Sequence, residues 1–140
     1  MFEASLRPRR IVHAHCDVPC GVYDPAQARI EAESVKAIQE RYAKADEMKS
    51  GTESPEDYRT RCLVIKEQRA DLVKHHLWVL WTDYFKPNHL EAHPDLHEKF
   101  WNATKLAGES KKSLDPAQGQ KLLDAIDEID GIFKATKAAA

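Results

Sequence analysis

From Asp24 onward the apolar residues recur every three or four positions, the spacing of helices and not of strands. Val35, Ile38, Tyr42 and Ala45 predict one amphipathic helix. Leu96, Phe100, Ala103 and Ala107 predict another, and Leu122, Ile126, Ile129 and Phe133 a third. The longest stretch carries two parallel rows: Tyr58, Cys62, Ile65, Leu72 and Val79, and beside them Val73, Leu77, Leu80 and Tyr84. Start signals stand ahead of the helices at Asp24-Pro25-Ala26-Gln27, Ser54-Pro55-Glu56-Asp57, His93-Pro94-Asp95 and Asp115-Pro116-Ala117-Gln118. An acid or hydroxyl there satisfies a backbone N–H that has no partner in the helix, and proline has none to lose. Lys49 to Ser54 reads as a polar loop. Short connections make consecutive helices antiparallel neighbours. The expectation is an all-α fold, an up-down antiparallel four-helix bundle.

Two charges interrupt the rows. Four residues before Val35 stands Glu31, and Arg69 fills the gap between Ile65 and Leu72. A charge that faces a core is costly unless paired, so the two are expected to lie close together and largely buried. Glu31 sits near the start of its helix, beneath the segment His15–Cys20, where it could support whatever that segment binds.

The chain has 140 residues, 42% hydrophobic and 31% charged, which suits one soluble globular domain. A net charge of -2 gives no electrostatic reason to expect nucleic acid. No apolar run approaches the roughly 20 residues of a membrane helix. The first fourteen residues, MFEASLRPRRIVHA, are Arg-rich and lack the apolar stretch of a secretory signal; by composition alone they read as a frayed terminus. Three cysteines cannot all pair within the chain, so thiols in a reducing cytosol are the simpler expectation.

The chemistry concentrates in HAHCDVPCGVYDPAQ, residues 13–27. Cys16 and Cys20 are separated by three residues, and His15 directly precedes the first. Thiolates select soft or borderline metals, and imidazole suits zinc, copper, iron and nickel. Zinc is one reading: a non-catalytic structural bundle using Cys16, Cys20 and a histidine, for which His89, His93 and His97 are available. A di-iron carboxylate bundle is excluded, because no Glu has a His three positions later. A CxxC redox pair is absent as well.

His15-Cys16-Asp17-Val18-Pro19-Cys20-Gly21-Val22-Tyr23 resembles the nickel hook of the nickel-containing superoxide dismutases, with pattern H-C-x-x-P-C-x-x-Y. The resemblance continues through DPAQARIEAESVKAIQE, VIKEQRADLVKHH and LWTDYFKP, and through the D-P-A-x-G-Q stretch near the C-terminus. The departures are a longer loop around Lys49 to Ser54, and Val18 where leucine is common.

The resemblance implies an enzyme that disproportionates superoxide to oxygen and hydrogen peroxide with one nickel per subunit, cycling between Ni(II) and Ni(III). The implied ligands are the thiolates of Cys16 and Cys20, the Cys16 backbone nitrogen, and the amine and imidazole of His15. Donors on consecutive residues close fused chelate rings, and strong donation makes trivalent nickel accessible. Because an amine must be free, residues 1–14 are implied to be a leader removed by a processing peptidase. Residues 15–140 then form the mature domain, with the hook at 15–23 and a cis Val18–Pro19 bond when assembled. By the same resemblance Glu31 and Arg69 orient the His15 imidazole, as carboxylates behind a ligating histidine do. Tyr23 and Tyr84 order water and limit access. Asp17 and Lys86 stand around the hook, Lys86 able to attract the superoxide anion. Cys62 has no such counterpart and suits a small core position. The implied assembly is a cytoplasmic homohexamer, with no nucleic-acid or membrane partner.

Overall fold

The computed structural model describes residues 21–139, so His15, Cys16, Asp17, Cys20, the Val18–Pro19 bond and the leader boundary lie outside the described residues. The described chain forms α1 (Ala26–Ala43), α2 (Ala45–Met48) and α3 (Pro55–Val79), then a π-helical turn (Leu80–Tyr84). After these come α4 (Pro87–Ala92), α5 (Leu96–Lys112) and α6 (Pro116–Ala138). Among the described residues there is no strand. The four long helices are those expected from the apolar rows. The short α2 and α4 sit in the connections, where four to six residues give too little pattern to separate a helix from a loop.

The start signals act as their chemistry dictates. Asp24 Oδ1 accepts from the Ala26 N–H at 2.7 Å, Ser54 Oγ from Asp57 at 3.0 Å and Asp115 Oδ1 from Ala117 at 2.9 Å. Each satisfies a donor that the helix itself leaves unpaired. Asp95 instead reaches forward one turn to Lys99 at 3.1 Å.

Side-chain pairs fix the helix directions. Glu31 meets Arg69 while Asp46 meets Arg59, so α3 runs opposite to α1. Arg29 meets Asp127 while Lys36 meets Gln120, so α6 also opposes α1. Trp81 meets His97 while Lys66 meets Ser110, which sets α5 against α3. With α5 and α6 also packed together, the four long helices close an up-down ring.

Val35, Val73, Leu77, Leu80, Leu96, Phe100, Ala103, Ala107, Leu122, Ile126, Ile129 and Phe133 all lie in the core. In α1 the inward row is Ala28, Ala32, Val35 and Gln39, with Ile38 and Tyr42 only half-buried. The α3 reading needs a larger correction. Its inward row is Cys62, Lys66, Ala70, Val73 and Leu77, whereas Ile65 and Leu72 remain 39% and 38% exposed. Apolar residues occupy more than one face of α3, and a lysine stands in the true core row, so counting apolar positions selects the wrong one.

Lys66 is only 1% exposed. Its ammonium donates to the carbonyls of Ser110 (3.1 Å), Ser113 (2.9 Å) and Lys111 at the C-terminal end of α5. Those carbonyls have no partner inside their own helix, so a cation there satisfies them and meets the negative end of the helix dipole. Burial pushes the Lys66 pKa below the usual lysine range. Gln39 Nε2 joins the same cluster, donating to Ser113 at 3.1 Å. Nearby, α6 comes so close to α1 that a Cβ on Gly119 would lie 2.6 Å from Gln39 Oε1 and 2.9 Å from Lys36 Cα. Only glycine permits that approach.

Candidate metal centre

The described chain enters α1 through Gly21, Val22 and Tyr23, at the end of the bundle opposite Lys66. Gly21 has φ +68°, a left-handed conformation that glycine adopts without a Cβ penalty. Val22 and Tyr23 then lead to the Asp24 cap. A small cavity of ≈ 60 Å³ opens there, lined by Val22, Tyr23, Gln27, His76, Val79 and Leu80 among others. His76 has no signal in the apolar pattern. It comes to this cavity only because α3 runs antiparallel to α1, so that its last turns meet the first turn of α1.

Tyr84 reaches the same end through the π-helical turn, which closes with the Phe85 N–H donating to Leu80 O at 3.2 Å. One extra residue per turn rotates the following side chains relative to an α-helix, and such turns recur at functional sites. The Tyr84 and Tyr23 rings lie 5.8 Å apart. Around the Tyr84 ring, the rings of Phe133, Phe85 and His89 lie 4.6, 4.9 and 5.7 Å away. The Tyr84 hydroxyl is 2.8 Å from Thr136 Oγ1 on α6. Lys86, two residues on, is exposed at the start of α4; its carbonyl accepts from the His89 N–H at 2.9 Å.

Glu31 lies five residues past Ala26, about 8 Å along the axis of α1. Arg69 Nη1 contacts both of its carboxylate oxygens, at 3.0 and 3.2 Å. The pair therefore forms, yet the expectation that both members are largely buried is corrected. The Glu31 side chain is 13% exposed and that of Arg69 is 42% exposed. Arg69 belongs to the row of Ile65 and Leu72, which lies at the rim of α3 and not in the core.

Among the described residues no group of three or more His, Cys, Asp and Glu could hold a metal ion. Cys62 is 8% exposed, and burial pushes its thiol pKa up, the wrong direction for a metal thiolate. The three spaced histidines do not converge. His97 Nδ1 accepts from Trp81 Nε1 at 2.6 Å, and His89 Nδ1 from the Lys86 N–H at 3.2 Å. The other two cysteines, Cys16 and Cys20, precede Gly21 in the sequence and lie outside the described residues. Two thiolates with an adjacent imidazole and backbone nitrogens fit nickel, which accepts soft and nitrogen donors together.

Residues 10–137 match the family described as nickel-containing superoxide dismutase. The chain belongs to the nickel-containing superoxide dismutase family. The superoxide dismutase [Ni] of Streptomyces seoulensis is 55% identical over 139 residues, 99% of this chain and 100% of the relative. That of Streptomyces coelicolor is likewise 55% identical over 139 residues. A native nickel superoxide dismutase structure aligns with TM-score 0.80 at 56% identity, covering 89% of this chain and 99% of the other. A structure whose nickel ligation corresponds to the oxidised state aligns with TM-score 0.79 at 58% identity and the same coverage. The zinc-binding structural bundle finds no support in these comparisons. The cofactor of this family is nickel.

Proposed function

We propose that the chain disproportionates superoxide to oxygen and hydrogen peroxide at a nickel ion held by His15, Cys16 and Cys20. The observation that carries this reading is the family match over residues 10–137, which runs through the whole cysteine segment. Nickel, when bound, supplies the one-electron couple. The protein's own residues do the rest.

The thiolates of Cys16 and Cys20 and the nitrogens of His15 and Cys16 would hold the ion, with one nickel per subunit. Residues 1–14 would be removed by a peptidase, freeing the His15 amine. Glu31, fixed by Arg69 at 3.0 Å, would accept a hydrogen bond from the His15 imidazole and set its orientation. Tyr23 and Tyr84, with rings 5.8 Å apart, would narrow the approach and order water between their hydroxyls. The exposed ammonium of Lys86 would draw the anionic substrate, and Asp17 would hold the hook in place. Leu63, Val64, Ile65 and Leu72 leave apolar surface exposed on α3, which a homohexamer would bury between subunits. No helix among the described residues is long and apolar enough to cross a membrane. The thiols of Cys16 and Cys20 suit a reducing compartment, which favours a cytoplasmic enzyme.

The test is substitution in chains beginning at His15. Cys16→Ser and Cys20→Ser should each abolish nickel binding and dismutation while helical circular dichroism stays at the parent level, because every described core residue lies beyond Asp24. Retention of nickel and activity in either variant would contradict the ligand set.

A further inference from the structure

Tyr84 and Thr136 share a hydrogen bond of 2.8 Å in which either oxygen could donate. Thr136 settles the direction. Its hydroxyl has a single proton, and it also lies 2.8 Å from the carbonyl of Phe133, which can only accept. With the Thr136 proton on that carbonyl and the Tyr84 proton on Thr136, both contacts are hydrogen bonds. With the Thr136 proton on Tyr84, the contact to Phe133 is lost. Thr136 is 7% exposed, so water competes poorly for its hydroxyl.

We infer that Thr136 is a positioning residue that holds the Tyr84 phenol as a donor toward α6, so that Tyr84 offers the reaction side of the molecule only acceptor lone pairs. The inference rests on the reading that Tyr84 stands beside the nickel hook. Dismutation takes one electron from one superoxide, which becomes oxygen. The other superoxide gains that electron together with two protons and becomes hydrogen peroxide. A phenol whose proton is committed to Thr136 supplies neither of them. It instead accepts a hydrogen bond from water or from the protonated product, ordering what leaves and not acidifying what arrives. The ring is clamped for that task by Phe133, Phe85 and His89.

The experiment compares Thr136→Val, Thr136→Ser and Tyr84→Phe, alone and combined, in nickel-loaded chains beginning at His15. Raman difference spectra against Tyr84→Phe isolate the Tyr84 ring doublet, whose intensity ratio reports whether a phenol donates or accepts. A donor signature in the parent, lost in Thr136→Val and kept in Thr136→Ser, is expected. Dismutation by Thr136→Val should fall about 5-fold, the factor carried by one hydrogen bond of about 1 kcal/mol. In the Tyr84→Phe background the same substitution should change nothing further. An acceptor signature in the parent, or one indifferent to Thr136→Val, overturns the inference. A donor signature with unchanged rates in both Tyr84→Phe and Thr136→Val overturns the place of Tyr84 beside the reaction and leaves the polarity of its hydrogen bond standing.

Discussion

Arg69 and Lys66 lie three residues apart on α3, and their roles are the reverse of what the apolar rows suggest. Arg69 is paired with Glu31 but 42% exposed, while Lys66 is buried and satisfied by backbone carbonyls of α5. Breaking a fully buried ion pair costs about 3–5 kcal/mol, whereas exposed pairs are worth 1 or less. Arg69→Ala should therefore cost only about 1–2 kcal/mol, since water reaches the pair from the arginine side. Lys66→Met should cost more, about 2–3 kcal/mol, because it strands buried carbonyl acceptors at the end of α5. Urea denaturation of the two variants ranks them, and Arg69→Ala as the more damaging change would contradict the burial pattern. Glu31 and Arg69 were legible as charges breaking apolar rows. Lys66, His76 and Thr136 were not, because none of them breaks an apolar row read from the sequence, and what each meets lies on another element whose register no row encodes.

Among the elements, α5 and α6 were legible down to individual core positions, since each presents a single apolar stripe. α3 was not, because Leu63, Val64, Ile65 and Leu72 remain outward while Cys62, Ala70, Val73 and Leu77 turn inward. The π-helical turn was equally hidden: its one extra residue leaves no trace in a three-and-four spacing, yet it sets where Tyr84 points. The contact of α6 with α1 gives the sharpest test at this scale. Gly119→Ala places a methyl 2.6 Å from Gln39 Oε1 and 2.8 Å from Lys36 Cβ. The backbone atom of Lys36 at 2.9 Å cannot step aside, so the helices must separate. We expect a loss of about 1–3 kcal/mol despite alanine's better helix propensity. A neutral or stabilising Gly119→Ala in thermal denaturation would show that α1 and α6 are less closely apposed.

For the molecule as a whole, the bundle core and the cysteine segment occupy separate stretches of the sequence. The core draws on residues from Ala28 to Phe133, and the thiol donors precede all of them. The exposed apolar surface of α3 belongs to this scale too. If it is buried between subunits, Ile65→Asp should shift the sedimentation coefficient toward smaller species while leaving the helical signal intact. An unchanged sedimentation coefficient would place the subunit contact elsewhere. The central claim, that nickel chemistry begins at a free His15 amine, is tested most directly by one added residue. Chains beginning at His15 and chains with a single alanine before it should be loaded with nickel and compared for dismutation by pulse radiolysis. The account predicts rapid superoxide loss only for the chain beginning at His15, because the added alanine turns the amine into an amide. Equal dismutation by the two chains would contradict it.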